Sequence, residues 1–131
     1  MFRKVAFTMY PMSDVPRARA FYEGTFGLKP GSVGNQGEGW WVEYDLPGGG
    51  CLALTNFVPD QPSASAGGTI ALEVDDLDTL IADLKGKGVT FQSDIIHSPV
   101  CRMAVCLDSE GNSILLHQLK PKGEAHADHP H

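Results

Sequence analysis

The amino-acid sequence predicts an α+β fold made of two copies of one supersecondary unit, and three observations predict it. The segment FTMYPMSDVPRARAFYEGTFGL (Phe7 to Leu28) has a counterpart in TIALEVDDLDTLIADLKGKGV (Thr69 to Val89). The endings of the two halves, GGCLALTN (Gly49 to Asn56) and GNSILLHQ (Gly111 to Gln118), also correspond. Each half then reads as a strand, a helix opened by aspartate, and strands closing on a glycine turn. A repeat of about half the chain implies two units that share a core.

In the first copy, Val5, Phe7 and Met9 alternate with Ala6, Thr8 and Tyr10, the period of a half-buried strand. Ser13 or Asp14 supplies an N-cap, and Pro16 falls early in the helix, where its missing N–H is harmless. Ala18, Phe21, Tyr22 and Phe26 give the apolar stripe, ended by Gly27. Residues 29–39 hold four glycines and no strong period, so they read as a loop or a short irregular strand. Strands at Trp40 to Leu46 and Cys51 to Phe57 follow, joined by the turn Pro47-Gly48-Gly49-Gly50.

Val58 to Gly68, rich in Pro, Ser, Ala and Gly, connects the copies. The second copy gives a strand at Thr69 to Val74 and a helix from Asp76 to about Lys87 carrying Leu77, Leu80, Ile81 and Leu84. Strands are expected near Val89 to Ile95, Cys101 to Leu107 and Ser113 to Leu119, the last two separated by the turn Asp108-Ser109-Glu110-Gly111-Asn112. Beyond Lys120 the chain lacks apolar anchors, and the reading is a disordered tail whose His126, His129 and His131 bind metal only adventitiously.

At 131 residues the expectation is one domain spanning 1–119, with enough apolar residues to bury a core without disulfides. Ten Lys and Arg against sixteen Asp and Glu leave a formal charge of −6, which argues against a nucleic-acid partner because neutralising phosphates needs a clustered basic excess. No apolar run reaches the roughly 20 residues of a membrane span, and the start lacks the pattern of a signal peptide, so the expected location is cytoplasmic. Three cysteines, Cys51, Cys101 and Cys106, form no CxxC pair.

The aspartate-capped helix ending in FYEGTFGL, the stretch VDDLDTLIADLKGKGV and the closing DSEGNSILLHQ together resemble the vicinal oxygen chelate superfamily, the glyoxalase, bleomycin-resistance and extradiol-dioxygenase group. The resemblance covers about residues 4–119. It implies two βαβββ modules whose mixed, curved sheets surround a cavity, commonly in a homodimer. It also implies divalent-metal ligands, usually His and Glu, on the first and last strand of each module. Carried onto this sequence, those places hold Phe7, Ala53, Thr69 and Leu115. Phe, Ala and Leu side chains have no donor atom, so the expectation is no cofactor and no metal site.

Strand parity indicates what else shares the face of those positions. Met9, Thr55, Glu73 and His117 join it, with Trp41 and Glu43 from the middle strand of the first copy and Cys101 and Met103 from that of the second. His117 and Glu43 are the candidate catalytic groups, an imidazole and a carboxylate able to move protons near neutral pH. The competing reading of His117 is a partly buried histidine hydrogen-bonded near its strand end, and that of Glu43 is an exposed or Arg102-paired glutamate. Cys101 beside Arg102 suggests a nucleophile, against the commoner role of a small buried hydrophobe. His97, before Ser98-Pro99, reads as a surface-loop residue, and Tyr10, Trp41 and Phe57 as an aromatic lining for a flat ligand. The function expected is binding of a small organic molecule of the bleomycin-resistance kind. The alternative is an isomerase, lyase or dioxygenase-type enzyme using His117 and Glu43 or a displaced divalent metal.

Overall fold

The computed structural model describes Arg3 and residues 5–57, 61–65 and 68–120. Residues 1, 2 and 4, parts of the connection at 58–60 and 66–67, and the histidine tail from 121 onward lie outside the described residues. Contacts divide the chain into two compact units, residues 1–66 with 109–111 and residues 67–108 with 112–131. Each unit is a four-stranded mixed sheet with helix on one face.

In the first unit β1 (Thr8–Pro11) leads to α1 (Val15–Arg19), which runs into a π-helical turn, Ala20–Thr25, before β2 (Val33–Gln36), β3 (Gly39–Asp45) and β4 (Cys51–Thr55). The sheet order is β1-β4-β3-β2, with β1 parallel to β4 and the other pairs antiparallel. The N-cap is Asp14, whose carboxylate accepts from the Arg17 N–H at 3.1 Å. The π-turn, marked by Phe26 N–H donating to Phe21 O at 2.9 Å, has a packing cause. Its extra residue brings Phe21, Tyr22 and Phe26 into one cluster, with ring centroids 4.7 to 5.6 Å apart, and Tyr22 stacks on Tyr44 of β3 at 5.8 Å. Burial of Val42, Tyr44, Leu52 and Leu54 completes this core.

The second unit repeats the plan: β5 (Ile70–Glu73), α2 (Leu77–Gly86), β6 (Ile96–His97), β7 (Cys101–Leu107) and β8 (Ser113–Leu119), in the order β5-β8-β7-β6. Asp76 caps α2 by accepting from Thr79 N–H at 3.2 Å and Thr79 hydroxyl at 2.8 Å. Leu77 and Leu84, seven residues apart and so on one helix face, are fully buried with Cys106 and Ile114.

The strand expected at Val89 to Ile95 does not form. Phe91 makes a lone bridge to Cys106, and the Ser93 hydroxyl accepts the Val105 N–H at 3.0 Å in place of a ladder carbonyl. The paired segment is instead Ile96–His97, so His97 belongs to β6, although it is exposed. Residues 29–39 contain a true strand, β2, whose side chains are all exposed, which is why no hydrophobic period announces it.

Candidate functional site

Register places the residues of interest on the helix-free face of each sheet, because directly paired residues share a face. In the first unit Met9 pairs with Ala53 and Ala53 with Glu43, while Pro11 pairs with Thr55 and Thr55 with Trp41. Trp41 Nε1–H donates to Glu43 Oε2 at 2.7 Å, so the two alternate residues of β3 lock one another. The Phe7 ring stands edge-on to the Trp41 indole, with centroids 5.2 Å apart and planes at 89°. Phe7 and Met9 are 43% and 40% exposed, making this face an aromatic shelf bordered by one carboxylate.

Three residues behave differently from ligand groups. Thr55 is fully buried, and its hydroxyl donates to the Trp40 carbonyl at 3.0 Å while accepting from Phe57 N–H at 2.9 Å. Tyr10 pairs with Leu54, which pairs with Val42, so it sits on the helix side and not with Trp41. The expected trio of Tyr10, Trp41 and Phe57 is therefore split between faces. Cys101 is buried, with Ser98 Oγ 3.0 Å from its sulfur.

In the second unit one row crosses all four strands: Ile96 pairs with Met103, Met103 with His117, and His117 with Glu73. His117 Nδ1 lies 2.6 Å from Glu73 Oε1, and Glu73 Oε2 accepts the Leu119 N–H at 2.9 Å. Partial burial works against the Glu73 charge, but the Leu119 amide and His117 outweigh it and hold this carboxyl below its ordinary range. The partner of His117 is thus Glu73, whereas Glu43 serves Trp41 in the other unit. Arg102 lies on the opposite face, with its guanidinium Nη2 2.6 Å from Asp78 Oδ1 on α2.

Two of the thiols, Cys51 and Cys106, are poor nucleophiles. Burial, with Asp108 close by, pushes Cys106 up to about 12, and burial with Glu43 and Asp45 raises Cys51. Two concavities lie elsewhere, on the helix sides. One of about 440 Å³ is lined by Val15, Pro16, Arg19, Glu23 and Trp40, and one of about 390 Å³ by Ile81, Lys85, Phe91 and Asp94. Neither contains a residue singled out above as a ligand group, and the sheet faces carry the more distinctive chemistry.

Phe7 as the stacking partner of Trp41 and Ile96 as the end of the polar row were missed from sequence. The first sat in a ligand position without a donor; the second lay where no strand was expected. The strand pairings show Ile96, opposite Met103, as the counterpart of Gly34, opposite Trp41.

The sequence profile described as the glyoxalase/bleomycin resistance protein/dioxygenase superfamily matches residues 4–116. The chain belongs to that superfamily. Among solved structures it is similar to TnmS3, an antibiotic binding protein from Streptomyces sp. CB03234. That pair shares 29% identity and a TM-score of 0.76 over 91% of this chain and 98% of the other. A glyoxalase/bleomycin resistance protein from the same organism is 30% identical with a TM-score of 0.73, covering 88% of this chain and all of its own. A domain of the superfamily from Frankia sp. EAN1pec, at 16% identity and a TM-score of 0.76 over 97% and 99% of the two chains, shares the fold. A search of curated proteins found no match.

The residues at the superfamily's usual metal places do not fit a divalent ion. Phe7, Ala53 and Leu115 have no donor atom, and the Thr69 hydroxyl lies 2.6 Å from that of Ser113. One neutral hydroxyl already in a hydrogen bond falls short of the several oxygen, nitrogen or sulfur donors such an ion requires.

Proposed function

We propose that this superfamily member binds a small organic molecule on the helix-free faces of its sheets, without the usual metal, and makes or breaks no bond in it. The observation that carries the reading is the shelf of Phe7 and Trp41, held by Glu43, where a metal-dependent relative would present donors. Rigid aromatic rings offer a flat ligand large contact area at little loss of side-chain entropy. The similarity to an antibiotic binding protein over nearly that protein's whole length supports the same reading. In this proposal the protein works in the cytoplasm as a homodimer, with a small molecule and not a nucleic acid as its partner.

Thermal-shift screening with planar aromatic compounds, followed by titration of tryptophan fluorescence, tests it. Ligands that bind only the folded state raise the melting temperature, and those on the shelf also quench Trp41. No stabilisation by any planar compound, with fluorescence unchanged, overturns the reading.

The His117–Glu73 pair favours a second reading, proton transfer in an isomerase or lyase, because a carboxylate-held imidazole is a common general base. Proton spectra of a bound ligand before and after long incubation distinguish the two. Recovery of the ligand unchanged supports binding; conversion that is lost in His117→Gln supports the enzyme.

A further inference from the structure

The row Ile96–Met103–His117–Glu73 has a chemical polarity that the fold does not require. In the first unit the equivalent row is Gly34–Trp41–Thr55–Pro11, which contains no titratable group and forms the same four-stranded sheet. The second copy therefore carries an imidazole–carboxylate pair at places where the first manages with a buried threonine and a proline.

The hydrogen bonds assign the imidazole tautomer. An ionised carboxylate only accepts, and Glu73 already takes the Leu119 N–H on Oε2, so Oε1 must receive the Nδ1–H of His117. The neutral ring then carries its lone pair on Nε2, and no hydrogen bond among the described residues reaches that atom. His117 is partly open, with its side chain 26% exposed, and on the side away from Glu73 the row continues through the apolar Met103 and Ile96. Ile96 is 42% exposed, and Leu119 on the same face is 50% exposed. Strands lie about 4.8 Å apart, so Ile96 and His117, two strands removed, are separated by about 10 Å, the length of a two-ring aromatic molecule.

We propose that His117 Nε2 is the specificity-determining acceptor of the second unit, taking a hydrogen bond from a phenolic or enolic hydroxyl of a flat ligand whose hydrocarbon lies over Met103 and Ile96. Glu73 acts as a positioning residue: it fixes the tautomer and the ring. A hydroxyl is selected because Nε2 of the neutral ring can only accept, and an ether oxygen at the same place would set two lone pairs against each other. The inference rests on the small-molecule-binding reading and names the ligand chemistry for it.

The test compares 1-naphthol, whose hydroxyl stays protonated near neutral pH, with its methyl ether by calorimetry, with EDTA present, on the full chain. The wild type is expected to prefer the naphthol by roughly five- to tenfold, the range of one hydrogen bond to a partly shielded acceptor. His117→Phe should abolish the preference, and Glu73→Gln should reduce it, because a carboxamide can offer its own N–H to Nδ1 and reverse the tautomer. His117→Gln, smaller and polar, restores an acceptor and should recover part of the preference if the phenylalanine variant misfolds. Equal binding of naphthol and ether by the wild type overturns this inference alone. A preference that survives in both His117 variants does the same. Binding of neither probe, where other planar compounds do bind, also overturns it; failure of every planar compound overturns the binding reading with it.

Discussion

Glu110 grips the start of α1 through one carboxylate: Oε1 accepts the Ser13 and Asp14 N–H groups at 2.9 and 2.8 Å, and Oε2 lies 2.7 Å from Arg17 Nε. The turn that carries Glu110 thus supplies a second cap to a helix whose own Asp14 already bonds Arg17 N–H. Burial opposes this charge, but Arg17 and the Asp14 and Ser13 amides prevail, and the carboxyl is brought down to about 2.

This gives an acid-stability prediction with a definite sign. A depressed carboxyl contributes stability above its unfolded value, near 4.5, and loses it as pH falls through about 2. Glu110→Gln is expected to cost on the order of 2 kcal/mol at pH 7 and to flatten the fall in stability through that window. Denaturant unfolding at pH 7 and pH 3 measures both, and an unchanged slope between them in the variant counts against the grip.

Gly39 lies under the Phe57 ring, where an added Cβ would approach Cε1 to 2.3 Å. Gly39→Ala should displace the ring and cost about 1 to 2 kcal/mol. Combining it with Phe57→Ala should return most of that cost, because the obstacle is removed. The double-mutant cycle in chemical denaturation reads the coupling, and additive costs would show that Phe57 is not what the new methyl meets.

Tyr44 donates its hydroxyl to Glu23 Oε2 at 2.9 Å, and the same oxygen lies 2.7 Å from Arg19 Nε. Burial and the Glu23 charge raise the phenol well above its ordinary range, so Tyr44 should stay neutral as the other tyrosines begin to ionise in alkali. Tyr44→Phe is expected to lose about 1 kcal/mol while keeping the stack on Tyr22. Ultraviolet titration of wild type and variant checks this: removing Tyr44 should leave the amplitude below pH 11 unchanged, roughly one unit above the usual tyrosine value.

Thiol chemistry gives a fourth outcome. Cys101 and Cys106 are buried, Cys51 is partly open, and Cys51 and Cys106 both have raised pKa values. Native protein should react slowly with a disulfide reagent at pH 7.5, Cys51 first, and denaturation should expose all three cysteines at once. A fast-reacting Cys101 in the native state would reopen its nucleophilic reading.

Much of the architecture was legible because its signals are local. The limits of β7 and β8, Cys101–Leu107 and Ser113–Leu119, follow from apolar runs bounded by turn residues. Ser13 or Asp14 announced the first helix and Asp76 the second, and the caps are Asp14 and Asp76. Parity separated Trp41 and Glu43 from Val42 and Tyr44, and the register separates them likewise. What escaped were features set by a distant neighbour. β2, left open between loop and short irregular strand, has no buried side chain to give it a period, and the π-turn exists to fit three rings against Tyr44. Tyr10 falls on the helix side because of its pairing with Leu54.

The chain's repeat, its aspartate caps and its strand alternation by themselves determined two like modules, and the superfamily resemblance carried by those motifs pointed to Phe7, Ala53, Thr69 and Leu115 as a donor-poor set. Tertiary structure decided the partners: Glu73 for His117, Glu43 for Trp41, Phe7 for the indole and Glu110 for the α1 amides. The physical reason is range. Periodicity and capping act over a few residues and are written along the chain, whereas a hydrogen bond between residues 44 apart, as for Glu73 and His117, depends on which strands pair and in what register.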